Sequence, residues 1–205
     1  MPATLASLKQ QYIEAIYQTR ALLIKEKAFT LQSGKSSHIY LNHRHFLSDH
    51  RYLSLVAKIY HQLAQQLTGE YILGAVDSIM SPIIVGAMSA LFQYDYVVIR
   101  KTALTHGTQE FIYGNITKPI LLIDDMTSTG DTLIDAAHKI RASGGLINHA
   151  IVSAYRESTA INNLQHQQIT TLCIASFDEI IKQLQPRLTT QEKIIVQKNP
   201  LIFEG

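Results

Sequence analysis

The stretch ILLIDDMTSTGDTLIDAAHKIRASGG, residues 120–145, carries the pattern that decides the fold. It opens with an apolar run over residues 120–123 that has the composition of a buried strand. Two adjacent carboxylates, Asp124 and Asp125, come next, followed by small hydroxyl residues and a glycine. The apolar residues then take helical spacing, which predicts a helix over residues 131–143. The stretch therefore predicts a strand, a polar turn and a helix in succession.

The rest of the chain continues this alternation of strand and helix. Short apolar runs predict strands over residues 71–76, 96–101, 119–124, 149–156 and 170–177. Helical spacing and helix-start signals predict helices over residues 5–16, 50–69, 81–93, 131–143 and 177–187, with helix or coil over residues 191–200. This alternation indicates an α/β fold whose parallel sheet has helices on both faces. Ligands of such sheets bind beyond the carboxyl ends of the strands, where Asp124 and Asp125 are expected.

Length and composition predict one folded domain over residues 1–205. The 205 residues are 46% hydrophobic and 17% charged, and the formal net charge of +2 is too small to indicate a nucleic-acid partner. The N-terminus lacks the apolar run of a signal peptide, and no stretch approaches the ~20 apolar residues of a membrane span. A single cysteine excludes an intrachain disulfide. These features predict a soluble cytoplasmic protein without a membrane partner, and Cys173, within an apolar run, is interpreted as core rather than nucleophile.

The polar turn in residues 124–132 has the chemistry of a site for a phosphorylated sugar. Asp124 and Asp125 repel each other and need donors, which sugar hydroxyls or a magnesium ion would supply. Small residues after them let backbone N–H groups approach an anion, and the helix N-terminus favours a phosphate. The alternative is an ordinary strand-to-helix turn in which Ser, Thr or Asp caps the helix. The turn is not a P-loop, because the Gly-Lys-Ser/Thr ending is absent.

Four motifs carry a resemblance to a known family. The stretch ILLIDDMTSTGDT, residues 120–132, resembles the phosphoribosyl pyrophosphate motif of type I phosphoribosyltransferases. FTLQSGKSSHIYLN, residues 29–42, resembles the N-terminal segment of orotate phosphoribosyltransferases, and RKTALTHGT, residues 100–108, resembles their catalytic loop. AYRES, residues 154–158, resembles the stretch that supplies an arginine to the base. The motifs occur in the order of the family.

The resemblance implies a fold, a reaction and an assembly. The fold would be the type I phosphoribosyltransferase fold, with an N-terminal helix and base-side segment over residues 1–50, a core over 51–185 and a C-terminal tail over 186–205. With magnesium as cofactor, orotate and phosphoribosyl pyrophosphate would give orotidine 5′-monophosphate and pyrophosphate, a step of pyrimidine biosynthesis. The family's catalytic loop reaches the neighbouring subunit, which implies a homodimer with shared active sites.

The resemblance also assigns roles to individual residues. The catalytic residues would be Asp124, Asp125, Lys101 and His106. The residues that bind phosphoribosyl pyrophosphate would be Arg100, Lys101, His106, Asp124, Asp125, Met126, Thr127, Ser128, Thr129, Gly130, Asp131 and Thr132. The pyrophosphate loop would contain Asp77 and Ser78, and the orotate contacts would be Gln32, Tyr40, Leu41, Ser128 and Arg156. Magnesium would be held through the ligand, with a direct contact from Asp124 or Asp125 left open.

Several of these residues have an ordinary structural alternative. Arg100 and Lys101 would fit a solvated strand end, and His106 would fit a surface loop. Arg156 would fit a surface ion pair with its neighbour Glu157. His43 and His45 lie close together, but no cysteine or carboxylate cluster accompanies them, so a zinc site is not predicted.

The chain departs from the family pattern at three places. Leu104 stands where the family has its loop lysine, and Gln32 stands where a lysine is usual. GAVDSIMSP, residues 74–82, lacks the second glycine of the family's pyrophosphate loop, and its Asp77 adds negative charge near an expected polyanion. Three functions therefore stay open: an orotate phosphoribosyltransferase, a phosphoribosyltransferase for another base, and a non-catalytic regulatory protein that binds phosphoribosyl pyrophosphate.

Overall fold

The computed structural model describes residues 3–30, 36–102 and 111–199 and has an α/β architecture. The strands are β1 Leu22–Thr30, β2 Ser36–Leu41, β3 Ile72–Val76, β4 Tyr96–Ile99, β5 Ile112–Tyr113, β6 Ile120–Thr127, β7 Ile147–Tyr155 and β8 Thr170–Ser176. The α-helices are α1 Leu5–Gln18, α2 His43–Leu47, α3 His50–Ala64, α4 Met80–Phe92, α5 Asp131–Ala142, α6 Ser158–His166, α7 Phe177–Leu184 and α8 Thr190–Lys198, and a 3₁₀ turn spans Gln185–Arg187.

A six-stranded sheet with the order β5-β4-β3-β6-β7-β8 forms the centre of the fold. Its strands are parallel, except that the short β5 runs antiparallel to β4. Side chains of β3 alternate between two cores: Leu73 packs with the side of α1, α3, α4 and α7, and Ile72 packs with the side of α5. The prediction of a parallel sheet with helices on both faces is confirmed.

A separate two-stranded hairpin, β1 with β2, was not predicted from the sequence. Its register breaks between Ile24 and Phe29, and the intervening residues 25–27 are all exposed, so the period-2 pattern of a strand is lost there. The helix α8 packs on β1 and β2, and Ile24, Ile39 and Ile195 join the core on that side. The hairpin therefore rests on residues from both ends of the chain.

Most predicted elements are confirmed, with shifted boundaries. The helix predicted over residues 50–69 ends at Ala64, because the polar residues after it form turns that lead to Gly69 at φ +106°. The strand predicted over residues 170–177 ends at Ser176, whose side chain caps α7 in a capping box with Glu179. The helix α6 was missed, and β6 continues to Thr127, so both aspartates lie inside the strand rather than after it. Within the described ranges, none of the helices is long and apolar enough to cross a membrane.

Candidate active site

A cleft of about 630 Å³ opens at the carboxyl edge of the sheet, between the sheet and the hairpin. It brings together residues that come from distant parts of the chain. They are Thr30, Tyr40, Leu41, His43, Arg44, Asp77, Ser78, Ile79, Met80, Lys101, Asp124, Asp125, Met126, Ser128, Thr132 and Arg156. Most of the residues predicted from the sequence therefore line one space.

The remaining predicted residues do not line this cleft. Arg100, Thr127, Thr129, Gly130 and Asp131 are neighbours of lining residues in the chain, but are not part of the wall themselves. Gln32 and His106 lie outside the described residues, as does Leu104. Their assigned roles stay predictions.

Asp124 is a buried carboxyl group in the second half of β6. Its side chain is held by Ser78 Oγ, which donates to Oδ1 at 3.1 Å, and by the backbone N–H of Asp125 at 2.9 Å. Burial, and next the charge of Asp125, raise the pKa of Asp124 to about 8. The ligand-free protein therefore holds Asp124 mostly as the neutral acid at pH 7.

Asp125 is the charged member of the pair. Burial pushes its pKa upward, but His43, together with Asp124 and a backbone N–H, outweighs burial, and the net pKa is lowered. Nδ1 of His43 lies 3.6 Å from Oδ2 of Asp125, which is an ion-pair distance and longer than a hydrogen bond. The two adjacent carboxyl groups thus divide into one neutral acid and one carboxylate, which removes the repulsion expected between them.

The turn after β6 leads into α5 with no side chain capping the helix N-terminus. Gly130 stands at the N-cap with φ +92°, a backbone conformation that favours glycine, and a Cβ there would lie in a tight contact of 3.2 Å with the carbonyl oxygen of Ala160. A glycine N-cap leaves the first N–H groups of α5 without a side-chain acceptor. The alternative of a Ser, Thr or Asp cap is therefore wrong. Asn163 fixes the turn by donating to the carbonyl oxygen of Thr129 at 3.0 Å.

The backbone of Lys101 is fixed by hydrogen bonds to two side chains. Its backbone N–H donates to Asp77 Oδ2 at 3.3 Å, and its carbonyl oxygen accepts from Lys139 Nζ at 2.7 Å. Lys139 also donates to the carbonyl oxygen of Arg100 at 3.0 Å. Asp77, which departs from the family pattern, thus accepts a hydrogen bond at the edge of the cleft. Sequence analysis missed Lys139, because a lysine in the last turn of a helix is common and carries no signal of such a contact.

Arg156 connects the sheet to the hairpin. Nη1 donates to Ser37 Oγ and Nη2 to the carbonyl oxygen of Ile39, both at 3.0 Å, and the guanidinium lies 4.4 Å from the ring centre of Phe177. Arg156 is only 4% exposed, and burial lowers its pKa. The alternative of a surface residue is therefore wrong. Within the described part of the chain, these bonds use two of its five N–H donors.

The described residues do not form a metal site of their own. Within the ranges 3–30, 36–102 and 111–199 there is no group of three or more His, Cys, Asp or Glu side chains that would hold an ion. His45 is exposed whereas His43 is buried. The ionised Asp125 in the cleft wall fits a magnesium ion whose other ligands are oxygens of a bound phosphate compound.

The raised pKa of Asp124 predicts how stability depends on pH. The folded chain keeps a proton on Asp124 that the unfolded chain releases near pH 4, so the free energy of unfolding should fall as the pH rises from about 4 to about 8. The slope from this group approaches ~1.4 kcal/mol per pH unit. We expect urea unfolding between pH 5 and pH 8 to show it, and Asp124→Asn to remove it.

Other groups titrate in the same range, so the difference between the two proteins is the quantity to measure. The chain contains nine histidines, and those away from the aspartate pair contribute equally to the wild type and to Asp124→Asn. Equal slopes in both proteins would show that Asp124 is already ionised in the folded state at pH 5.

The chain is similar to curated proteins over most of its length. The chain is 30% identical over 162 residues to the orotate phosphoribosyltransferase of Picrophilus torridus, covering 77% of this chain and 93% of the relative. It is 29% identical over 161 residues to the orotate phosphoribosyltransferase of Pyrococcus horikoshii, covering 78% of this chain and 87% of the relative. No family model matches the chain.

Solved structures share the fold at lower sequence identity. The structure of Leishmania donovani UMP synthase has a TM-score of 0.78 at 22% identity and covers 94% of this chain, which spans 42% of that protein. Orotate phosphoribosyltransferase from Aeropyrum pernix has a TM-score of 0.71 at 18% identity, covering 85% of this chain and 99% of that one.

Fold and site together define a phosphoribosyltransferase with the type I fold, as the resemblance implied. Within that class, the similarity to the Picrophilus torridus relative shows that the chain belongs to the orotate phosphoribosyltransferase family.

Proposed function

We propose that this protein transfers the phosphoribosyl group of phosphoribosyl pyrophosphate to orotate, with magnesium, and releases orotidine 5′-monophosphate and pyrophosphate. A single observation carries the proposal. One cleft has a neutral and a charged aspartate, an uncapped helix N-terminus and a buried arginine around it. Relatives named orotate phosphoribosyltransferase support the choice of base. The reaction is a step of pyrimidine biosynthesis.

The proposed mechanism assigns one part of the reaction to each side of the cleft. The free N–H groups at the start of α5, with Ser128 and Thr132, would hold the 5′-phosphate. Asp125, as a carboxylate, would contact the ribose hydroxyls and favour the positive charge that develops on the sugar as the bond to pyrophosphate breaks. Lys101 would attract the departing pyrophosphate. Positioning and electrostatics thus account for the proposed catalysis.

The base would lie on the hairpin side of the cleft. Tyr40 and Leu41 form part of the wall there, and Arg156 offers a planar fork of donors to the carboxylate of orotate. Magnesium would neutralise charge on the pyrophosphate, and Asp125 is the carboxylate that would face it. Asp124, mostly neutral, is the poorer ligand of the pair.

The assay that tests the proposal is pyrophosphate release from phosphoribosyl pyrophosphate across a panel of bases. We expect turnover with orotate, in magnesium and not in excess chelator. Turnover with another base alone would establish the second function, and ligand binding by calorimetry without any turnover would establish the regulatory one. Leu104 and Asp77 are the sequence features that favour these alternatives, since Leu104 replaces a family lysine and Asp77 adds negative charge near the expected pyrophosphate.

We also propose a homodimer with shared active sites, supported by an exposed apolar face on α4. Ile79 and Ile83 are 58% and 45% exposed, and Gly86 and Ala90 continue the same face at helical spacing. Ile79 is also part of the cleft wall, so a partner covering this face would lie beside the active site.

The apolar face of α4 yields a prediction about assembly. Ile83→Glu places a charge in the middle of that face, so we expect sedimentation velocity to show a shift from dimer to monomer. Leu146→Glu is the matched control, because Leu146 is 64% exposed and lies just before β7, at the end of the sheet away from the cleft. A wild-type monomer, or a dimer that Ile83→Glu leaves unchanged while Leu146→Glu dissociates it, would contradict this interface.

The cytoplasmic location predicted from the sequence is retained as part of the proposal. Cys173 is partly buried, and burial raises the pKa of its thiol to about 11, so it stays protonated and unreactive. A structural thiol of this kind fits a reducing compartment.

A further inference from the structure

His43 is a buried histidine in the wall of the cleft that the sequence did not mark as part of the site. It is the first residue of α2 and is only 2% exposed. Its ring packs between the rings of Tyr12 and Phe46, with centroid separations of 5.9 Å to each. The imidazole is thus fixed in orientation by its neighbours while one edge reaches Asp125.

The two ring nitrogens of His43 have different surroundings. Nε2 forms a hydrogen bond of 2.6 Å with the hydroxyl of Tyr12. Nδ1 is buried, has no hydrogen-bond partner within the described part of the chain, and lies 3.6 Å from Asp125 Oδ2. A buried nitrogen without a partner is costly, so a small rotation of the carboxylate that closes this gap is favourable.

The hydroxyl of Tyr12 allows His43 to carry its proton on Nδ1. Burial, and next the charge of Asp125, raise the pKa of Tyr12 well above its ordinary value, so its hydroxyl keeps a proton to donate to Nε2. Nε2 can then act as an acceptor, and Nδ1 bears the N–H. A carboxylate favours this tautomer, because the alternative would turn a lone pair toward a negative charge.

A separate set of bonds holds the backbone beside this pair. The hydroxyl of Tyr60 donates to the carbonyl oxygen of Asp124 at 2.7 Å, and Ser153 Oγ lies 2.7 Å from the same hydroxyl. A carbonyl oxygen can only accept, so Ser153 donates to Tyr60. These bonds fix the backbone of the strand that carries both aspartates. The side chain of Asp125 is not fixed by them, and His43 is placed to orient it.

We propose that His43 is a positioning residue, which keeps a proton on Nδ1 and holds the carboxylate of Asp125 against the sugar of the bound phosphoribosyl donor. This inference rests on the proposed function, because it assumes that Asp125 contacts that sugar. Ser78 holds Asp124 and His43 holds Asp125, so each member of the pair has its own support. A neutral acid and an oriented carboxylate are thereby maintained side by side.

Kinetics of two variants test the positioning role. His43→Leu keeps the apolar contacts and removes the donor, so we expect kcat to fall by about 10-fold to 100-fold. The KM for phosphoribosyl pyrophosphate should change far less, since the carboxylate acts chiefly as charge develops. His43→Asn should recover most of kcat, because its amide N–H lies near the position of Nδ1. His45→Leu is the control, on the exposed side of the same helix.

Two kinetic results would overturn the proposal. One is a His43→Leu protein that unfolds cooperatively like the wild type and keeps kcat within twofold of it. Another is a His43→Asn protein as slow as His43→Leu, which would reduce His43 to a packing residue.

Nitrogen NMR of the wild-type imidazole gives a test that does not depend on turnover or on how the variants fold. We expect ¹⁵N shifts of ligand-free protein to show a protonated Nδ1 for His43. A proton on Nε2 alone would overturn the proposal. If no base supports turnover, the proposed function fails, while the NMR result still decides the state of Nδ1.

Discussion

Asp124→Asn/Asp125→Asn is expected to lower kcat/KM for phosphoribosyl pyrophosphate by at least about 100-fold, with the fold retained. The reason is that Asp125 supplies the negative charge beside the sugar, and asparagine keeps its shape while removing that charge. Asp124 is already mostly neutral at pH 7, so Asp124→Asn should cost much less activity than Asp125→Asn. Steady-state kinetics of the two single variants and the double variant measure this order.

Asp178→Asn is the matched control for this series. Asp178 pairs with Lys182 on α7, outside the cleft, and exposed pairs of this kind contribute at most ~0.5 kcal/mol. Its kinetics should equal those of the wild type. The assignment of the site would be wrong if the double variant turned over at the wild-type rate. An inverted order, with Asp124→Asn the slower variant, would show instead that Asp124 carries the charge.

Substitution of Arg156 should have the second large effect, on the stability of the fold and on the binding of orotate. Arg156→Ala removes the bonds to Ser37 and to the carbonyl oxygen of Ile39, so we expect the free energy of unfolding to fall by about 2–4 kcal/mol. Arg156→Lys keeps the charge but loses the planar fork, so the KM for orotate should rise by about 10-fold or more. The KM for phosphoribosyl pyrophosphate should stay nearly constant.

Urea unfolding and initial-rate kinetics with each substrate varied in turn separate these two effects. Arg51→Ala is the control for stability, because Arg51 forms an exposed ion pair with Asp49 and its loss should change the stability little. An unchanged KM for orotate in a folded Arg156→Lys protein would limit Arg156 to joining the hairpin and the sheet.

Local pattern was enough to predict the central part of the fold. The strands β3, β6, β7 and β8 each contain a short apolar run, and α5 follows its turn with regular helical spacing. These signals depend on residues a few positions apart, so they can be recognised from the sequence alone. The hairpin β1–β2 lacked such a signal, because residues 25–27 are exposed in succession and the register breaks.

The sequence also marked Asp124, Asp125 and the turn after them, because carboxylates beside small residues at a strand end are rare in a core. It could not predict which aspartate keeps its proton, since that depends on Ser78 and His43, which approach from other elements. Nor could it predict that Lys139 holds the carbonyl groups of Arg100 and Lys101.

The sequence by itself thus determined the βα architecture, the position of the polar turn after β6 and the family. The tertiary structure alone decided the charge of each aspartate, the burial of Arg156 and the place of His43 in the site. The physical reason is that strand and helix patterns are set by neighbouring residues, whereas a pKa is set by burial and by charges that folding brings together. Asp124 and Asp125 are adjacent in the chain and chemically identical, and only their surroundings make one an acid and the other a carboxylate.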